Sequence, residues 1–487
     1  MNNIKKSLIL GSLTAVFLNL SSCTLGEFGD INVNPSATQT PVTSALLTNV
    51  LANFYSQNTY YVEKGLYAQY FSQSQYPDGS QYATTQVDFS GYYTGTLYDL
   101  QNIININTDA ATKGLSAVLD NGSNNNQIAV SRIAKAAIFA VVTDTWGDVP
   151  YSEALIKKSN PKYDTQQAIY TGLLKELKEA IAQFDNGKAV TGDILNGGSA
   201  TKWKKYANSL RMILALRMSK VDAATGKTEF AAALADASGN VATNADNIVY
   251  AFLDNNDFRN PWQALYDGRD DQGISDVFLK ELQDRKDPRI PAYFTPITDG
   301  SFLGIPYGLK RDVLIQWTNK NPKYSKPNIA NFQTKAAPGY IVTAAQVLLA
   351  RAEAAKLGWT TEDGNKLYND AIKAAWEQWK VYDAAKYATY IADPLNDITK
   401  GTNAVEKIAV QRWITLYPNG QEAWSEWRRI GFPKLTPSAY AVNTSKQIPR
   451  RYAYPNVEAT LNKANYDAAT SRISGGDTHD GRVWWDK

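Results

Sequence analysis

The sequence predicts a mainly α-helical protein in which paired helices form a scaffold beside a large irregular region. Two parts of the chain carry apolar residues at helical spacing in neighbouring segments joined by short Gly-containing turns. Two others, Ile248 to Gly339 and Asp393 to Lys487, are dense in Pro, Gly, Asn and aromatic residues and show little sustained periodicity. They read as long loops and short strands. Long ordered loops are uncommon in compact domains unless they are functional, so these segments are the expected home of a binding site.

At the start of the chain, Lys5 and Lys6 precede a mostly apolar run from Ser7 to Leu20, followed by Ser21 and Ser22. A charged n-region, an apolar core of this length and small residues at its end form a signal peptide over 1–22. The run is too short for a stable membrane span, which needs about 20 apolar residues. Leu20-Ser21-Ser22-Cys23 resembles the bacterial lipobox, in which the Cys is acylated and becomes the first residue of the mature protein. Residues 23–41 then form a lipidated tether, since Thr24 to Pro41 is rich in Asn, Ser, Thr and Pro, and 42–487 is expected to be a single domain.

Within that domain Asp164 and Gln167 are spaced as a capping box, and Ile169, Leu173, Leu174, Leu177, Ile181 and Phe184 follow on one helical face. After the Gly-rich turn at Gly192 to Gly198, Trp203, Tyr206, Ala207, Leu210, Leu214 and Arg217 make a second stripe. The two are expected to form an αα-hairpin. A second hairpin starts at Thr343 and Gln346, again spaced as a capping box, and runs through Glu353 to a stop at Gly358. Its partner carries Leu367, Ala371, Ile372, Ala375, Trp376 and Trp379 on one face.

Composition narrows the chemistry. The chain has one Cys and one His in 487 residues, so Cys-His dyads, CxxC pairs and HExxH zinc sites cannot be assembled once Cys23 serves as anchor. Fifty Lys plus Arg stand against 47 Asp plus Glu, and removal of Lys5 and Lys6 with the signal leaves 48 against 47. Without a basic excess or a basic run, nucleic acid is not an expected partner. The 29 Tyr and 12 Trp instead provide amphipathic rings suited to stacking on a ligand.

Several fragments, in order, carry a resemblance. Thr143-Asp144-Thr145-Trp146-Gly147-Asp148-Val149-Pro150-Tyr151 follows a helical run and resembles the hallmark segment of the SusD/RagB outer-membrane proteins. Trp203 to Arg211, Asp287-Pro288-Arg289 and Ala352-Glu353-Ala354 are similar to further markers of that family. So are Gln411 to Ile414, Glu422-Ala423-Trp424, Arg428 to Pro433, Ile448 to Arg451, Tyr454-Pro455 and Trp484-Trp485-Asp486. The resemblance implies a SusD-like fold with about four tetratricopeptide-like helix pairs packed against an irregular, loop-rich, ligand-binding half. It also implies a SusC-like TonB-dependent β-barrel as partner, over which the lipoprotein acts as a lid that captures a glycan or other nutrient. Thr24-Leu25-Gly26 follows the anchor before Glu27 and Asp30, so surface display rests on the resemblance and not on an acidic export signal.

A glycan site needs an aromatic platform beside amide, carboxylate or guanidinium groups. Two loops combine both: Gln73 to Tyr93, with Tyr76, Gln81, Tyr82 and Tyr93, and Asp257 to Arg269, with Arg259, Asn260, Trp262 and Tyr266. These eight are the expected ligand residues. Trp146, Asp148 and Pro150 read as a turn that fixes a loop, and Glu353 and Arg211 as helix residues with intramolecular partners. Asp267 to Gly273 is acidic, but Arg269 stands where an EF-hand needs an oxygen ligand; that motif is rejected, another calcium geometry stays open, and no cofactor is expected. The Gly475 to Gly481 segment around His479 reads as a flexible polar loop. No catalytic residue is expected, although a lipid-anchored glycoside hydrolase with a carboxylate pair would need neither Cys nor His and is the alternative. A helical scaffold for other surface proteins, without a small ligand, is the third reading.

Overall fold

The computed structural model describes residues 42–84, 86–401 and 403–487. The signal segment, Cys23 and the tether lie outside the described residues. Four successive helix pairs run through Thr43–Lys487. They are Thr43–Asn58 with Leu97–Thr108, Asn124–Trp146 with Gln166–Gln183, Ala200–Arg217 with Ala223–Ala235, and Ala344–Lys356 with Gly364–Gln378. Neighbouring pairs also touch, Leu97–Thr108 on Asn124–Trp146, Gln166–Gln183 on Ala200–Arg217, and Ala200–Arg217 on Ala344–Lys356. The apolar stripes explain the packing: Ile169, Leu173, Leu177, Trp203 and Leu214 are all fully buried in one core.

The structure corrects the expected pairing of the second and third of these units. Gln166–Gln183 does pack on Ala200–Arg217, but each has a more extensive partner on its other side. Asn124–Trp146 is buried on nearly every face, so its apolar residues make no stripe. Ala223–Ala235 contains Gly226, which looks like a helix breaker in sequence; a Cβ there would lie 2.6 Å from the Ala215 carbonyl oxygen, so glycine permits the close approach of the third pair. The N-cap of Gln166–Gln183 is Thr165, whose hydroxyl accepts from the Ala168 N–H at 3.3 Å. Asp164 instead sits in a short strand and accepts from the Ser152 N–H at 2.7 Å.

Thr343 caps the fourth pair as expected, accepting from the Gln346 N–H at 3.3 Å, and Gly358 follows the helix at φ 69°. Thr343→Ala is expected to cost about 1 kcal/mol, read from the denaturant midpoint at unchanged slope.

The segment from Asp393 to Lys487 is less irregular than expected. It holds a fifth pair, Ala404–Leu416 with Gly420–Ile430, which docks on Ala344–Lys356 and on Val62–Tyr67. The first of these helices is apolar on most faces, and the second buries charged residues that normally mark a solvent-facing surface. The Gly475 to Gly481 loop is likewise ordered: Ser474 bridges to Arg482, and His479 is buried beside the rings of Tyr67 and Tyr452.

Those buried charges form one network across the pairs. Glu426 accepts from Arg412 and Arg429 at 2.6 Å each and from Arg217 at 3.2 Å. Glu353 of the fourth pair accepts from Arg412 at 2.6 Å and from Arg429 at 2.7 and 2.8 Å. Arg217 of the third pair reaches Glu422 at 2.6 Å and pairs with Asp144 of the second. Arg211 pairs with Asn208 and Glu229, so both helix residues have the intramolecular partners expected of them. Trp146 is buried, and Asp148 ties the following turn to the Gln166 N–H at 2.8 Å and to Arg472 at 2.6 Å, a fastening role.

Burial pushes the Glu353 and Glu426 carboxyls up, but Arg429 and Arg412 beside them outweigh it and hold both below the ordinary 4.5. Burial raises Glu422, with Arg217 only partly opposing it. Groups depressed in the folded state stabilise it above their unfolded pKa and lose that contribution as pH falls through the folded value; Glu422 has the opposite sign. The denaturant midpoint is therefore expected to hold or rise slightly as pH falls from 7 to about 5, where Glu422 takes up its proton, and to fall below about 4 as the contribution of Glu353 and Glu426 is lost.

Among the described residues no helix is long and apolar enough to cross a membrane.

Candidate functional site

The irregular half is organised by a two-stranded ribbon. Phe71–Gln73 pairs antiparallel with Gln272–Ile274, aligning Ser72 with Gly273. Ser74 extends the contact, donating from its N–H to the Asp271 carbonyl at 2.8 Å and from its hydroxyl to the Asp270 carbonyl at 2.6 Å. The two loops singled out in the sequence are thereby brought side by side. A Cβ at Gly273 would lie 2.7 Å from the Tyr324 ring, so glycine lets that ring lie directly on the ribbon. The Tyr324 hydroxyl donates to the Asp270 carbonyl at 2.6 Å, which fixes the ring's position.

Around this ribbon an aromatic and polar face is assembled. Trp317, on the helix Arg311–Lys320, is half-buried, and its ring lies 6.4 Å from that of Tyr324 at 41°. Arg311 at the start of that helix holds its guanidinium 5.3 Å from the centre of the Tyr76 ring, which is 51% exposed. Gln81 fastens the Tyr76 loop to the segment leading into this helix, donating to the Leu309 carbonyl at 2.8 Å. Arg311 has no ion pair among the described residues, whereas Lys310 pairs with Asp312 at 2.9 Å, Arg269 with Asp271, and Lys326 with Asp270. Beneath the face, burial pushes the Asp276 carboxyl up, partly offset by the Tyr307 N–H that it accepts at 3.0 Å. The arrangement offers flat apolar ring faces beside one uncommitted guanidinium and several hydroxyl and amide groups, the combination that recognises a sugar's C–H face and its hydroxyls.

The eight expected ligand residues separate into distinct settings. Tyr76 and Gln81 belong to the face. Tyr82 is 1% exposed with its backbone at φ 65°, and its hydroxyl accepts from the Ser438 N–H at 3.1 Å, so it supports the face from below. Tyr93 lies elsewhere, donating to the Pro150 carbonyl at 2.8 Å beside a separate cavity. Asn260 is a buried helix cap that accepts from the Trp262 N–H and donates to the Ala337 carbonyl at 2.9 Å. Trp262 is a core residue whose indole donates to the Tyr55 hydroxyl at 3.2 Å. Arg259 is held by Asp267 at 2.6 Å and Gln263 at 3.1 Å. Tyr266 packs against a cluster of buried rings that includes Trp262, Phe278 and Tyr417, and burial pushes its hydroxyl well above its ordinary value.

Sequence reasoning did not single out Arg311, Trp317 and Tyr324. The signal was present, since Trp317 and Tyr324 flank Pro322 among lysines and asparagines in an aperiodic segment already expected to hold the site. In the acidic Asp267 to Gly273 loop each carboxylate is matched to a cation, and among the described residues no group of three or more His, Cys, Asp or Glu is placed to hold a metal ion.

Comparison with known proteins places this arrangement. The family described as starch-binding and associating with the outer membrane matches residues 34–455. A solved chitin-binding protein is 28% identical, covering 91% of this chain and 99% of its own at a TM-score of 0.77. A chitin-binding SusD homolog from Flavobacterium johnsoniae is 25% identical, covering 91% of this chain and 98% of its own, also at 0.77. A SusD homolog from Bacteroides uniformis shares the fold at 24% identity and a TM-score of 0.76, covering 92% and 99% of the two chains. No curated protein matches. With the family's match spanning most of the sequence and the helix pairs and irregular half both accounted for, the chain belongs to the SusD-like family of outer-membrane nutrient-binding proteins.

Proposed function

We propose that this protein is a lipid-anchored glycan-binding protein that acts as the lid of a SusC-like TonB-dependent transporter and cleaves nothing. The observation that carries the binding role is the face built by Tyr76, Arg311, Trp317 and Tyr324, where the exposed Tyr76 ring and the half-buried Trp317 and Tyr324 rings accompany a guanidinium with no ion pair among the described residues. Chitin oligosaccharides are the first ligands to test, because two relatives at 25% identity or above are chitin-binding. Three acids of this face support binding over hydrolysis. Asp270, Asp271 and Asp312 are each in an ion pair, whereas cleavage needs two available carboxylates across the scissile bond.

The anchor rests on Cys23 at the end of the signal segment, and the partner and surface position rest on family membership. The native protein is expected to co-purify from detergent with a TonB-dependent β-barrel and to yield an N-terminal peptide acylated on Cys23. A solitary, unacylated protein would overturn the lid assignment while leaving the glycan reading to its own test.

A further inference from the structure

A second concavity lies away from the glycan face, at the foot of the first helix pair. It has a volume of about 560 Å³ and is lined by Phe89, Tyr93, Tyr98, Pro150, Leu155 and Leu461 among others. This size suits a small molecule. Its rim carries exposed apolar side chains, with Tyr98 44% and Leu461 68% exposed. The loop that forms one wall is held in a conformation side chains rarely adopt: Leu155 and Lys157 have φ of 65° and 57°. Non-glycine residues in the left-handed region cost energy and concentrate at binding sites.

The polar groups around the cavity are almost all committed within the protein. The Tyr93 hydroxyl donates to Pro150, Glu458 accepts from the Tyr163 hydroxyl at 2.5 Å, Glu153 holds Lys158 at 2.6 Å, and Asn462 donates to Pro161 at 2.8 Å. Of the charged residues lining the cavity, Lys157 alone has neither a hydrogen bond nor an ion pair among the described residues, and the Tyr98 hydroxyl on the exposed rim is also without a hydrogen bond. A sugar, which needs many donors and acceptors, is poorly matched here. Rings and aliphatic walls with one uncommitted ammonium match a flat apolar molecule bearing a single anionic group.

We propose that this cavity is a second binding site, independent of the glycan face, for a small aromatic carboxylate. The ring inserts between Tyr93, Tyr98 and Leu461, and the carboxylate meets the Lys157 ammonium.

The test titrates the full-length protein with 2-naphthoate and with its uncharged amide, 2-naphthamide, by calorimetry. Saturable one-to-one binding of 2-naphthoate is expected. The amide, and 2-naphthoate on Lys157→Ala, should bind about threefold more weakly, the size of one partly exposed ion pair. Thr94→Trp, which fills the cavity from an exposed position, should abolish binding of both, and Tyr98→Ala serves as the second variant if Thr94→Trp does not fold. Tyr76→Ala should leave binding unchanged. Absence of saturable binding, binding that survives the filled cavity, or binding lost with Tyr76→Ala would overturn the proposal.

Discussion

Replacing Glu353 with Ala is expected to destabilise the fold by about 3–5 kcal/mol, the usual cost of removing one partner from a buried ion pair. The carboxylate is 2% exposed and receives hydrogen bonds from both Arg412 and Arg429. Without it, two guanidiniums enclosed by helices share Glu426 as their one remaining carboxylate, with the Leu349 carbonyl left to Arg412 and the Ser219 hydroxyl to Arg429. The effect should exceed that of the Thr343 cap severalfold and appear as a shifted denaturant midpoint. The double variant Glu353→Ala with Arg412→Ala should lose less than the sum of the single changes, because the second removes a charge that the first left unpaired. A loss below about 1 kcal/mol for Glu353→Ala would mean that water compensates the arginines and that the network does not hold the pairs together.

Trp317→Ala is expected to weaken glycan binding by tenfold or more, and Trp317→Phe to restore most of it. Binding energy concentrates in a few aromatic and arginine contacts, each worth about 2 kcal/mol or more on truncation. Trp317 is half-buried at the end of a stabilised chain of contacts: its ring meets Tyr324, which Asp270 and the Gly273 ribbon hold in place. Such a ring is already positioned before ligand arrives, so little ordering cost is charged against the contact. An unchanged affinity in Trp317→Ala, with the folded state intact by denaturation, would move the ligand off this face.

How much of this was legible in the sequence follows from periodicity. Helices with one apolar face, such as Gln166–Gln183 and Gly364–Gln378, announce themselves, because 3.6-residue spacing separates inside from outside. Asn124–Trp146 and Ala404–Leu416 are buried on most faces and lack that contrast. Gly420–Ile430 misleads in the other direction, since Glu422, Glu426 and Arg429 look solvent-facing until Arg217, Arg412 and Glu353, distant in sequence, pair with them, and Arg428 until the Asp144 and Arg450 carbonyls accept from it. Loops carry no period at all. Tyr76 and Tyr82 sit six residues apart in one polar stretch, yet one ring faces solvent and the other the core. The turn that separates them, with Tyr82 at positive φ, depends on the Ser438 and Leu309 backbones more than two hundred residues away. Residue type singled out segments that the ribbon brings together, and only long-range contacts distinguish the exposed Tyr76 and Arg311 and the half-buried Trp317 from the buried Trp262 and Asn260.

The most direct test of the glycan-binding account is a calorimetric titration of the intact protein with chitohexaose and maltohexaose, followed by chromatography of the recovered sugar. The account predicts saturable binding of at least one oligosaccharide, weakened tenfold or more by Trp317→Ala and by Tyr76→Ala, with the sugar recovered at full length. Binding of neither, affinity indifferent to both substitutions, or shortened products would contradict it.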